Sequence, residues 1–184
     1  MKRNYIFNIQ GLEMFQISNF LSDDECSALC SLIEKDNRRS TVVNQEGYSE
    51  QRTSRSCFFN EKKGIVTTIE NRIARELNIP IEYSEPMQGQ LYTAGEFFGD
   101  HPDYFDGEAI SEQAVSGQRT WTAMIYLNKV SEGGHTEFPL LGKSFPPIKG
   151  SVLFWKNSDG TNTENPNSLH SGRPIISGQK LIIT

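Results

Sequence analysis

Two hydrophobic rhythms divide the chain. Between Ser22 and Arg39, the stretch SDDECSALCSLIEKDNRR places Cys26, Leu29, Cys30 and Ile33 at i, i+3, i+4 and i+7. That spacing gives one apolar face of a helix. Ser22 is a good N-cap, and Glu25 three residues on completes a capping box. The acidic first turn and the basic end suit the helix dipole. A second helix is predicted over about 61–77, where Ile65, Ile69, Ile73 and Leu77 recur every four residues. The following NIP closes it, because a residue before proline leaves the helical region.

After Pro80 the period changes. Short apolar runs alternate with turns: GQLYTAG, TWTAMIYLN, TEFPLL, GSVLFWK and KLIIT. They are rich in Thr, Ile, Val and aromatics, as strands are. EGG, PPIKG and NSDG punctuate them. The polar stretch NSDGTNTENPNS (157–168) reads as a flexible loop. Helices first and strands afterwards predict an α+β domain, with helices packed on a β-sandwich or an open barrel. There is no internal repeat. The expected organisation is one domain over 1–184, with helical support at about 20–80 and a β core at about 85–184.

Composition narrows the function classes. At 184 residues, a single domain can bury roughly two-thirds or more of its unfolded surface without staples. The chain has 18 Lys and Arg against 23 Asp and Glu, a net charge of −5. That argues against nucleic acid as a partner, since such domains are usually basic. MKRNYIFNIQGLEMF has no apolar core of a signal peptide, and no apolar run is long enough to span a membrane. The three cysteines, Cys26, Cys30 and Cys57, have no metal spacing with a histidine. They read as thiols of a reducing compartment, so the expected location is the cytoplasm.

The candidate chemistry centres on GDHPDYF. His101 and Asp103 stand two apart, so in an extended segment both side chains point the same way. His170, beside the strand-like C-terminal run, is available as a third ligand. Two histidines and a carboxylate on one face form the set used by non-haem Fe(II) oxygenases, although zinc would bind the same groups. The bland alternative is that His101 caps a turn and His170 packs in a loop. Asp100 and Asp106 flank the triplet in less suitable directions and are expected to be solvated. Lys180 interrupts an apolar strand in SGQKLIIT. Either its amine points out to water, or it is a buried cation for a ligand carboxylate, with the Tyr92 and Thr136 hydroxyls near the same group.

These residues fall in a recognisable order. QLYTAGEFFGDHPDYF resembles the Y-x-x-G-x-x-Y-x-x-H-x-D-Y-F block of the 2-oxoglutarate- and Fe(II)-dependent prolyl 4-hydroxylases. RTWTAMIYLN, EGGHTEFP, PIKGSVLFW and SLHSGRPIISGQK are similar to the succeeding blocks, and QRTSRSCFF to an upstream one. The resemblance covers roughly residues 15–184. It implies a double-stranded β-helix (jelly roll) core with N-terminal packing helices. It implies that His101, Asp103 and His170 hold Fe(II), and that Lys180 pairs with the distal carboxylate of 2-oxoglutarate, near Tyr92 and Thr136. Arg119 would contact a peptide carbonyl; otherwise it makes a surface salt bridge. A lysine at that position is like the collagen-type members. The chain looks like the short bacterial or viral ones. Phe98 stands where the family block has a tyrosine, and the chain stops four residues after Lys180, where relatives continue with a strand that helps bind peptide.

The resemblance therefore implies a dioxygenase that uses Fe(II), 2-oxoglutarate and O2, with ascorbate, to hydroxylate prolyl residues in a peptide or protein and release succinate and CO2. The alternatives are a non-catalytic jelly-roll binding module, or a hydroxylase of another residue or a free amino acid. A monomer or weak dimer is expected, in the cytoplasm or, if the protein is viral, the host cytoplasm. His135 is expected in an exposed turn, Trp121 and Trp155 in the core, and Arg52 near a loop over the site.

Overall fold

The computed structural model describes residues 3–9, 11–40, 52–59, 64–105, 117–158 and 163–184. Its first elements are strands, not helices. β1 (Arg3–Ile9) and β2 (Leu12–Ile17) form a hairpin ahead of helix α1 (Asp23–Lys35). The helices-first order expected from the sequence therefore fails at the N-terminus. The reason lies in LEMFQI: buried Leu12, Met14, Phe15 and Ile17 face both sides of their strand and show no clean alternation.

Helix α1 forms as its capping box predicts. The Ser22 hydroxyl accepts from the Glu25 N–H, and the Glu25 carboxylate accepts from the Ser22 N–H. Cys26, Leu29 and Ile33 are buried. Short strands β3 (Arg38–Arg39) and β4 (Arg55–Phe58) follow, inside the stretch read as helical support. Helix α2 (Ile65–Leu77) begins within the predicted 61–77, whose first three residues lie outside the described ones. It ends at Asn78, which takes a left-handed conformation and caps the helix ahead of Pro80.

The remaining strands are β5 (Gln88–Thr93), β6 (Phe98–His101), β7 (Trp121–Tyr126), β8 (Glu132–Gly133), β9 (Thr136–Phe138), β10 (Lys143–Phe145), β11 (Val152–Lys156), β12 (His170–Gly172), β13 (Ile175–Ser177) and β14 (Gln179–Ile183). They form an eight-stranded sheet in the order β1-β2-β11-β7-β14-β5-β4-β3, a four-stranded sheet β10-β9-β12-β6, and the pair β13-β8. Every pairing is antiparallel. This is the expected jelly roll with packing helices.

The large sheet is covered on both faces. On one, Phe15, Ile17, Ile125, Val152, Phe154, Leu181 and Ile183 pack with Leu29 and Ile33 of α1 and Ile69 of α2. On the other, Met14, Met124, Tyr126, Leu153, Trp155 and Ile182 pack against Phe138 and Phe145 of the small sheet. A strand buried on both faces reads as a continuous apolar run, which is why GSVLFWK and KLIIT stood out in the sequence. Since side chains alternate, Lys180 shares the inner face with Ile182, and Tyr92 lies opposite it in the ladder between β5 and β14. The polar stretch 157–168, expected to be a flexible loop, is pinned at both ends. Asn157, Ser158, Asn165 and Ser168 are buried, and Ser158 bridges Glu164. Residues 159–162 lie outside the described ones.

Candidate metal and keto-acid site

Strand β6 ends at His101 because Pro102 has no N–H to continue the ladder. The chain then turns, and Asp103 comes back toward the sheet. Strand β12 begins at His170, which pairs with His101 across the small sheet. One ligand atom from each of His101, Asp103 and His170 lies within 4.8 Å of the others. His101 Nε2 is 3.9 Å from Asp103 Oδ1, and His170 Nε2 is 3.7 Å from Asp103 Oδ2.

The outer hydrogen bonds aim these groups. His101 Nδ1 lies 2.7 Å from the Gly99 carbonyl, and His170 Nδ1 lies 2.9 Å from the Ser168 carbonyl. A carbonyl only accepts, so both rings carry hydrogen on Nδ1, and both Nε2 lone pairs face the centre. Burial, with His170 alongside, depresses the pKa of His101 and keeps it neutral. Burial alone would raise the Asp103 carboxyl, but His170, His101 and a hydrogen bond from Thr122 outweigh it and hold it below its ordinary value. Two imidazoles with Nε2 facing the centre and an ionised carboxylate are a donor set that fits a divalent first-row metal.

Aromatic rings wall the site. Phe98 stacks on His101 with centroids 3.5 Å apart, and the Arg52 guanidinium lies 4.8 Å from the Phe98 centroid. Trp155 meets His170 edge-on at 4.7 Å. Arg52 is itself buried and donates to Ser54, Ser56 and Gln88. Trp155 is core, as expected. Trp121 is only half-buried, at the edge of the helical face against Phe15.

Lys180 is on the same inner face and only 2% exposed. Its ammonium lies 5.6 Å from the Tyr92 ring and 5.5 Å from the Tyr126 ring. Among the described residues no hydrogen-bond acceptor or carboxylate meets it. Burial pushes its pKa down to about 7. The hydroxyls expected nearby have other engagements: Tyr92 donates to Gln90 Oε1 at 2.7 Å, and Thr136 accepts from Tyr126 at 2.9 Å. A cleft of about 1520 Å³ connects the triad, Lys180, Tyr92 and Thr136 to Arg119. Arg119 makes a two-pronged ion pair with Glu85 at 2.6 and 2.7 Å and lies 4.2 Å over the Phe105 ring.

One expectation needs correcting in detail. His135 is half-buried rather than in an exposed turn, because its carbonyl accepts from the Arg173 N–H and draws it against the small sheet. It is not part of the metal cluster. Asp100 is exposed, as expected, and Asp106 lies outside the described residues. Sequence reading missed Thr122, Asn157, Tyr126 and Glu85, which touch the site only through partners distant in the chain. TWTAMIY does alternate Thr122, Met124 and Tyr126 onto one face, which was the available signal.

The comparisons agree with this geometry. Residues 87–184 match the model of the 2OG-Fe(II) oxygenase superfamily. A probable prolyl 4-hydroxylase of Arabidopsis thaliana is 36% identical over 90% of this chain and 66% of its own length. The chain spans 60–66% of the length of the first plant relatives it matches. Among solved structures, the 2OG complex of a viral collagen prolyl hydroxylase from Paramecium bursaria Chlorella virus-1 superposes with a TM-score of 0.73 at 27% identity, covering 96% of this chain and 94% of that one. A Pseudomonas putida prolyl-4-hydroxylase shares the fold at 18% identity and a TM-score of 0.65, over 95% of this chain and 91% of that one. By its strands, its histidine–carboxylate cluster and these matches, the chain belongs to the 2OG-Fe(II) oxygenase superfamily.

Proposed function

We propose that the protein is a prolyl 4-hydroxylase: an Fe(II)- and 2-oxoglutarate-dependent dioxygenase acting on prolyl residues in a peptide or protein. The reaction takes 2-oxoglutarate, O2 and a prolyl C–H, and yields succinate, CO2 and a hydroxyprolyl residue. One observation carries the reading. A cluster of two imidazoles and one carboxylate shares a cleft with a buried ammonium that meets no carboxylate among the described residues. Such a pair of features suits a ligand with a metal-binding end and an anionic end.

In this reading His101, Asp103 and His170 hold the metal. Bound iron with the keto acid would supply the O2 chemistry that no side chain can. Lys180 anchors the distal carboxylate by a charge-assisted hydrogen bond. Thr136 and Tyr92 supply hydroxyls on the same face. Phe98 and Trp155 exclude water from the two imidazoles. Arg119, paired with Glu85 within the cleft, meets the peptide. Ascorbate would keep the metal reduced. The chain works as one domain, monomeric or weakly dimeric, in the cytoplasm of its cell or host. Among the described residues no helix is long and apolar enough to cross a membrane.

The test is mass spectrometry of proline-rich peptides after incubation with Fe(II), ascorbate and 2-oxoglutarate. One added oxygen on proline is the expected result. Oxidation of another residue, of free proline alone, or of nothing would overturn it.

A further inference from the structure

Behind Asp103 stands a short polar chain. The Thr122 hydroxyl lies 2.6 Å from Asp103 Oδ2, and the Asn157 amide nitrogen lies 2.9 Å from the Thr122 oxygen. The chemistry fixes every direction in it. An ionised carboxylate only accepts, so the single Thr122 hydrogen goes to Asp103. The Thr122 oxygen must then accept, which requires the Asn157 NH2 and not its carbonyl to face it. Among the described residues Asn157 Oδ1 is buried with no hydrogen-bond partner. An orphaned buried acceptor is unfavourable, and a native structure that keeps one calls for a reason.

Asn157 is held rigidly for the task. It is fully buried. Its N–H donates to the Thr120 carbonyl, and its own carbonyl accepts from the Asn165 N–H. Asn165 in turn donates through its side chain to the Gly11 carbonyl, at the turn of the N-terminal hairpin. Thr122 stands directly opposite Trp155 in the ladder between β7 and β11, two residues before Asn157. Its hydroxyl position is therefore set by the large sheet, and Asp103 by the loop after the small one.

We propose that Asn157 and Thr122 are positioning residues that hold the orientation of the Asp103 carboxylate toward the two histidines through its Oδ2. This rests on the reading of Asp103 as a ligand. Losing such an outer partner weakens metal binding by about 10–100-fold in comparable sites. The relay also ties the metal carboxylate to the stretch after β11, which the sequence presents as an ordinary polar loop.

The experiment is Co(II) titration of the full chain, following the visible absorption of the bound ion, with near-UV circular dichroism to show that each variant is folded. Thr122→Val should weaken Co(II) binding about 10–100-fold and change the band shape, because the freed carboxylate can turn. Thr122→Ser should restore both to near the parent. Asn157→Leu removes the group that orients Thr122 and should weaken binding. The double variant Thr122→Val/Asn157→Leu should be no weaker than Thr122→Val, since a relay is not additive. Parent-like affinity in Thr122→Val, or losses that add in the double variant, would overturn the relay. Asp103→Ala separates the two levels. If it binds Co(II) like the parent, the ligand reading fails. If it loses the metal while Thr122→Val does not, the relay alone fails.

Discussion

His170 sits directly opposite His101 in the ladder between β12 and β6, with ring centroids 4.3 Å apart. Paired residues of adjacent strands present their side chains to the same face, so the register itself brings the two imidazoles together. Both Nδ1 atoms are engaged by carbonyls two residues earlier in the chain. The strand register and these two carbonyls thus aim both Nε2 atoms at one point.

The first prediction follows from that register. His101→Ala, Asp103→Ala and His170→Ala should each lose tight Fe(II) or Co(II) binding and 2-oxoglutarate turnover. His135→Ala should keep both, since His135 stands outside the cluster. Calorimetric metal titration of the four variants checks this. Metal loss in His135→Ala alone would mean the wrong histidine was assigned.

The sequence showed some of these relations and hid others, for physical reasons. His101 and Asp103 were visible because their spacing is local. His170 was reachable because it opens a strand-like run. The companions of Asp103 were not visible, because Thr122 and Asn157 reach it only through strand pairing, and nothing in either residue's neighbourhood marks it. Likewise the capping box of α1 was legible in four residues, whereas β6 and β12 were too short to show a period.

The second prediction concerns packing between α1 and the sheet. A Cβ added at Gly89 would lie 2.5 Å from Ile33 Cγ1 and 2.8 Å from Cys57 Sγ. Neither is the loose end of a flexible side chain, so the helix must shift. Gly89→Ala should destabilise the protein by about 1–3 kcal/mol, the usual range for overpacking. Urea unfolding measures it, and an unchanged midpoint would show that α1 does not seat on β5 as described.

The third prediction concerns Arg119. Its guanidinium is held by the Glu85 carboxylate and the Phe105 ring within the cleft. Burial works against the Arg119 charge, but the Glu85 bonds outweigh it and leave the pKa raised. The residue is therefore a fixed cation. Arg119→Ala should raise the peptide KM more than the 2-oxoglutarate KM. Steady-state titration of each substrate decides it; an equal rise in both would place Arg119 in the keto-acid site instead.

The last prediction turns on the Lys180 proton. Burial lowers its pKa from the ordinary 10.5 to about 7, while burial raises Tyr92 and Tyr126 on either side, so neither ring titrates nearby. Below pH 7 the amine is charged and ready for a carboxylate. Above it, binding must first take up a proton, so 2-oxoglutarate affinity should fall by about tenfold per pH unit, 1.36 kcal/mol each. Folding runs the other way. Between pH 7 and about 10.4 the unfolded chain holds the proton that the ligand-free folded chain has lost, so this residue's contribution to stability grows as pH rises through that window. Lys180→Arg should flatten the affinity slope, because guanidinium keeps its charge, and should bind more weakly because a planar fork does not replace a compact ammonium. Lys180→Ala should raise the 2-oxoglutarate KM by about tenfold or more, consistent with loss of a charged hydrogen bond of about 1.5–3 kcal/mol. Calorimetric 2-oxoglutarate titrations from pH 6.5 to about 9, together with steady-state kinetics of Lys180→Ala, both with metal saturating, test all three. An affinity independent of pH in the parent, with an unchanged KM in Lys180→Ala, would show that the carboxylate is held elsewhere.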